Sequence, residues 1–224
     1  MNITVMASAA FKEAYLELVP GFESASGHSV TSLWAPSAQM IARLKGGERV
    51  DLVILSAASL DELIKAGIIA ERFDLARSGV GVAVKAGAPK PDISSGDAVK
   101  RLVLAAKAIA YSTGPSGVYL TGLFQRMGIA DQIKHKVRQV QGEPAGAVAA
   151  RGEAEIAFQQ VSELLPVPGI ELVGPLPPDI QQITVFSAGL HASARSPAPA
   201  RALVEFLTAP AAATVIRRKG MEPA

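Results

Sequence analysis

The sequence predicts an α/β protein of two lobes joined by a hinge of two crossing strands. Three observations predict it. Strand-type and helix-type runs alternate from residue 3 to residue 67, the pattern of a parallel sheet flanked by helices. After a glycine-bearing strand at 78–87 the alternation resumes, as in a second α/β body. A helical pattern then returns behind a last strand at 181–192, so the chain is expected to finish on the first body. The expected division is 1–79 with 187–224 for lobe one and 80–186 for lobe two. A ligand is expected in the cleft between them.

The elements follow in order. "ITVMA" (3–7) is a short apolar strand. In 9–27, Phe11, Tyr15, Leu18 and Val19 recur at helical spacing. Pro20 is expected to kink or break that helix near its end, and Gly27 to stop it. "HSVTSLW" (28–34) alternates as a strand does, and 36–47 reads as a helix opened by Pro36-Ser37 and closed by Gly46-Gly47. "VDLVIL" (50–55) is an apolar strand interrupted only by Asp51, and 59–67 is a serine-started, glycine-stopped helix. Beyond 78–87 come a proline-rich loop and helix (88–107), the strand "AIAYS", a helix from about Pro115 to Met127, "KVRQV", "PAGAVAARG" and "AEIAFQQ". The stretch 165–180 is proline-rich, 181–192 is a strand, and two helices near 198–207 and 210–219 end the chain.

Composition excludes several function classes. The 224 residues carry 22 basic and 20 acidic side chains and no long basic run, which argues against a nucleic-acid partner. Arg217-Arg218-Lys219 suits the negative end of a last helix. With no cysteine there is no thiol nucleophile, disulfide or zinc–thiolate site. The three histidines are scattered and match no metal-ligand spacing, so neither metal nor cofactor is expected. No apolar run approaches the ~20 residues that span a bilayer, so no membrane insertion is expected. Met1 leads into the first strand without a basic and apolar leader. The expectation is therefore a cytoplasmic chain, or a periplasmic one if the sequence is a mature or truncated form.

"STGPSG" (112–117) stands at a strand-to-helix junction. It misses the G-x-S-x-G elbow by one position, and the chain has no P-loop. Gly79-x-Gly81 is followed by strand-type residues rather than a helix start, so it is no dinucleotide fingerprint. What repeats is a serine at a helix start: Ser8, Ser37 and Ser116. Such starts offer free N–H groups and a partial positive charge to an anion. Any one of them is most often just an N-cap; three at strand ends are more informative. "FQQVSEL" (158–164) adds Gln159, Gln160, Ser162 and Glu163, either as a polar turn or as ligands for an anion. Gly114 and Gly117 are expected to let the backbone approach a ligand, and Gly117→Val to remain folded.

Taken together, "TVMASAAFKEAYLELVPGFESASGHSV", "APSAQMIARLKGGERVDLVILSA", "GPSGVYLTGLFQRMGI" and "ARGEAEIAF" resemble type II periplasmic solute-binding proteins of the molybdate-binding branch, over nearly the whole chain. The resemblance implies a small oxyanion held by hydroxyls and backbone N–H groups at helix starts, with Ser37 and Pro115-Ser116-Gly117 on matching positions. The family's first serine falls on Ala10, with Ser8 two positions earlier, and its closing tyrosine falls at Gln160, so molybdate itself is expected to bind weakly. The pattern "FQQVSELLPVPG…VGPLP…TVFSAG" looks more like a divergent branch that includes aconitate isomerase, which acts on a tricarboxylate. With the residues read above, the expected ligand set is Ser8, Ala9, Ala10, Ser37, Ser116, Gly117, Gln159, Gln160 and Ser162. A tricarboxylate calls for a cation, for which Arg77 and Lys12 are the candidates, the alternative for each being a solvated surface charge. Two functions remain: a receptor for a small anion that serves an ABC transporter membrane component, or an isomerase that moves an allylic proton, with Glu163 as its candidate acid or base.

Overall fold

The computed structural model describes all residues, Met1–Ala224. They form two compact units, Met1–Ser78 with Thr184–Ala224, and Gly79–Ile183. The boundaries stand at 78/79 and 183/184, where the sequence reading has 79/80 and 186/187.

The first unit opens with β1 (Asn2–Ala7), a turn of 3-10 helix (Ala9–Phe11) and α1 (Lys12–Ser26). Next come β2 (Ser29–Trp34), α2 (Ser37–Lys45), β3 (Leu52–Ser56) and α3 (Ala57–Lys65). β1 runs between β2 and β3, parallel to both. Pro20 does not break α1. Residue 16, whose carbonyl the proline ring crowds, is exposed, and Tyr15, Leu18, Val19 and Phe22 are buried on both sides of Pro20. Packing therefore holds the helix through a residue that local preference disfavours. Gly27 ends it in the left-handed conformation (φ 67°), as a C-terminal glycine should. β4 (Ile69–Lys85) is far longer than the strand expected at 78–87, and its course carries the chain into the second unit.

The second unit contains α4 (Gly96–Ala105), β5 (Ile109–Ser112), α5 (Pro115–Arg126), the short α6 (Ala130–Ile133) and β6 (Val137–Val140). α7 (Ala145–Ala150), β7 (Ile156–Gln160), the one-turn α8 (Val161–Leu164) and β8 (Ile170–Pro175) follow. β8 lies inside the proline-rich stretch that the sequence leaves irregular. β5 is parallel to both β6 and β7. The second half of β4 pairs antiparallel with β7 and with β8.

The chain returns through β9 (Ile183–His191), antiparallel to β3, and ends in α9 (Pro197–Thr208), α10 (Pro210–Arg218) and β10 (Glu222–Pro223), which pairs with β4. Each unit buries both faces of its sheet. In the first, α1, α9 and α10 cover one face through Phe11, Tyr15, Phe22, Leu203 and Leu207, while Met40, Leu44, Leu60 and Leu63 cover the other. In the second, Val99, Leu120, Phe124 and Phe158 form one core, and Ala145, Val148 and Leu164 belong to the other. Each large side chain so buried contributes about 1.5–3 kcal/mol.

Asp51, the polar interruption in an apolar strand, proves to be a tie. Its buried carboxylate accepts from the backbone N–H groups of Thr4, Arg195 and Ser196, each at 2.8 Å. Three such bonds offset the cost of burying the charge, and they join the first strand to the start of α9.

Candidate functional site

In the first unit the parallel strands β1, β2 and β3 end at Ala7, Trp34 and Ser56, and each feeds a helix start. The three junctions are not alike. Ser56 is an ordinary cap: its Oγ accepts from the Ser59 N–H and donates to Ser59 Oγ at 2.9 Å. Ser8 caps nothing. It is 6% exposed, and no protein group partners its hydroxyl. Ser37 is the half-buried first residue of α2, behind Pro36. Ala9 is exposed, and the Ala10 methyl is packed in the core beside Phe11. Lys12 opens α1 with its ammonium 5.4 Å from the centroid of the Trp34 ring.

The second unit repeats the arrangement. β5, β6 and β7 end at Ser112, Val140 and Gln160, and α5, α7 and α8 start just beyond. Ser116 is 1% exposed and Ser162 is 2% exposed, and neither hydroxyl has a protein partner. An unpartnered buried hydroxyl costs about 1–3 kcal/mol. Of all buried side-chain polar atoms, those left orphaned are Ser8 Oγ, Ser116 Oγ and Ser162 Oγ, each at a helix start beyond a parallel strand. A buried hydroxyl left without a partner calls for an explanation, and a group from outside the protein is one.

Gly117 has a different role from the one expected. A Cβ there would lie 1.6 Å from the Ser112 carbonyl oxygen, so the chain itself fills that space. The glycine lets α5 close over the end of β5, and the expectation that Gly117→Val stays folded is corrected. A Cβ at Gly114 would meet only Ser112 Oγ, at an ordinary 3.4 Å.

Gln159, Gln160, Ser162 and Glu163 stand together where β7 passes into α8. Gln160 is fully buried, opposite Val80 in the ladder with β4. Gln159 Oε1 accepts from the Ala145 N–H at the start of α7 (2.7 Å). That bond fixes which end of the amide is which, so Nε2 is left to donate to Glu163 Oε1 at 2.9 Å. Burial pushes the Glu163 carboxyl up to about 7, against the opposing pull of the Gln159 hydrogen bond. At neutral pH such a group is present both as base and as acid.

Arg77 lies within β4 rather than before a strand. It is exposed, opposite Glu222 of β10, and its Nη2 donates to the Pro223 carbonyl at 3.1 Å. No cluster of three His, Asp or Glu side chains is placed to hold a metal ion. The sequence reading names Gln159 and Glu163 but not their mutual hydrogen bond, and it does not single out Trp34. Trp34 was visible as the one tryptophan, at the end of an alternating strand directly before Ala35-Pro36-Ser37. The Gln159–Glu163 pair was visible as an i, i+4 spacing across a strand end.

The model of the family "Bacterial extracellular solute-binding protein" matches residues 3–222. The chain belongs to the bacterial extracellular solute-binding proteins. This solute-binding protein is 40% identical over 230 residues to aconitate isomerase from a Pseudomonas species, covering 99% of this chain and 88% of that one. Among solved structures, the periplasmic molybdate-binding protein of Azotobacter vinelandii matches with a TM-score of 0.80 at 19% identity, over 98% of each chain. The sulfate-binding protein SubI from Mycobacterium tuberculosis H37Rv matches with a TM-score of 0.76 at 17% identity, over all of this chain and 87% of that one. The fold is thus the α/β fold of type II periplasmic binding proteins. No helix is long and apolar enough to cross a membrane.

Proposed function

We propose that this solute-binding protein is an isomerase of an unsaturated tricarboxylate of the aconitate type. The observation that carries the reading is Glu163, a carboxyl held near neutrality by burial and oriented by Gln159. The 40% identity to aconitate isomerase along the whole chain supports it. A receptor needs no group that both takes and returns a proton; an allylic isomerase does.

In this reading the orphaned hydroxyls of Ser116 and Ser162, with the N–H groups at the start of α5, bind carboxylate oxygens. Ionised Glu163 removes a proton from the methylene carbon of the substrate. The electron pair spreads over the former double bond and its carboxylate as a dienolate. Protonated Glu163 then returns the proton to the far carbon, and the double bond shifts. Glu163 ends as it began, and nothing is oxidised or reduced.

The test is incubation with cis- or trans-aconitate in deuterated water, followed by proton NMR. Interconversion with deuterium uptake at the reacting carbons is expected, and Glu163→Gln should lower the rate at least about a hundredfold. Aconitate binding without turnover would overturn the reading in favour of a receptor.

A further inference from the structure

A tricarboxylate differs from a compact oxyanion in one physical respect: its charge is spread over three separate groups. Neutral dipoles at one helix start can hold sulfate or molybdate. They do not reach every carboxylate of a longer acid, and a mobile cation is the economical addition.

Lys12 has that character. Its ammonium has no carboxylate partner and rests over the Trp34 ring. Arg43, Lys65, Arg201 and Arg218 are engaged by acids, and the other cation over a ring is Arg126, on Tyr119 of the second unit. Trp34 is itself held in place. Tyr15, one turn along α1 from Lys12, meets it edge-on with ring centroids 5.4 Å apart, and the Tyr15 hydroxyl pairs with Ser32 Oγ at 2.8 Å. In the β1–β2 ladder Trp34 stands opposite Ala7, the residue before orphaned Ser8. A fixed indole, an unpaired ammonium and an unpartnered buried hydroxyl therefore share one strand-end edge of the first unit. A cation on an aromatic face is attracted only modestly, so a carboxylate can draw it away.

We propose that Lys12 takes one carboxylate of a polycarboxylate ligand at the Ser8 edge, leaving the Trp34 face as it does so, and that it sets the preference for polycarboxylates over inorganic oxyanions. The proposal rests on the tricarboxylate reading above.

Because Trp34 is the one tryptophan, intrinsic emission reports the event directly. The parent, Lys12→Met and Lys12→Arg are titrated with tricarballylate, a saturated tricarboxylate that cannot isomerise, and with sulfate. Calorimetry measures affinity and tryptophan emission measures the state of the ring. Tricarballylate should change the emission of the parent. Lys12→Met, which keeps an apolar stem on the indole, should bind it about 30-fold more weakly, or about 2 kcal/mol, without the emission change. Lys12→Arg should recover part of the affinity, and sulfate affinity should stay within about twofold throughout. Tricarballylate binding by Lys12→Met at parental strength would overturn the role of Lys12 and leave the isomerase reading standing. Failure of the parent to bind any polycarboxylate would overturn both.

Discussion

Replacing Glu163 by Gln tests the tuned carboxyl without assuming any substrate. Glutamine keeps the shape and an oxygen for Gln159 Nε2, and it cannot ionise. Burial raises the carboxyl from 4.5 to about 7. Between those values the folded protein holds a proton that the unfolded chain has lost, so stability falls as pH rises through the window. Above about pH 7 both states are ionised and the whole penalty is present; below about pH 4.5 both are protonated and it vanishes. At about 1.4 kcal/mol per pH unit the penalty is on the order of 3 kcal/mol. Glu163→Gln should therefore be more stable than the parent by up to about 3 kcal/mol at pH 8, with the difference shrinking toward zero near pH 5. Urea unfolding at a series of pH values, followed by circular dichroism, measures it. Carboxylates held below their usual range by cations, such as Glu17, Glu48 and Glu143, act in the opposite direction. They are common to both proteins and cancel in the difference. A difference that is flat from pH 5 to pH 8 would show that Glu163 is not held near neutrality and would remove the basis for its role.

Gln159→Leu leaves the Ala145 N–H without its acceptor, at a cost of about 1–3 kcal/mol. It also removes a donor that favours ionised Glu163, so the pH at which isomerisation reaches half its maximum should move upward; an unmoved midpoint counts against the tuning. Ser116→Ala should melt at or above the parental temperature, since an orphaned hydroxyl is removed, yet bind tricarballylate about tenfold more weakly by calorimetry. Parental affinity would take Ser116 out of the site. Gly117→Ala sets a methyl against the Ser112 carbonyl and should lower the melting temperature markedly or abolish soluble expression. Parent-like melting would mean that α5 does not close over β5 as described.

The βα alternation was legible because periodicity and stops coincide: Gly27 in the left-handed conformation, Pro115 at the first turn of α5, and apolar strands such as Leu52–Ser56. Pro20 misled because burial on both sides of it outweighs its local effect. β8 hid among prolines because its partner is the distant β4, which no local pattern announces. The serines at helix starts were visible, but the difference between Ser56, which caps its helix, and Ser8, which does not, depends on where one hydroxyl finds a partner. The clamp on Glu163 joins the starts of two helices, and its first bond runs between residues 145 and 159, so only the folded chain reveals it.

The tie made by Asp51 has a consequence for how the chain is born. Its acceptor oxygens wait for the N–H groups of Arg195 and Ser196, which leave the ribosome long after Thr4 and Asp51. Until then β3 lacks β9 at its edge, and Phe11, Tyr15 and Phe22 lack the cover of α9 and α10. The segment Gly79–Ile183, by contrast, is continuous in sequence and forms a compact unit of its own. Synthesis should therefore complete the middle of the chain first and leave the opening third sticky and half-built. A copy relinked so that Thr184–Ala224 is made directly before Met1 would remove that delay, and should depend less on chaperones while it is being made.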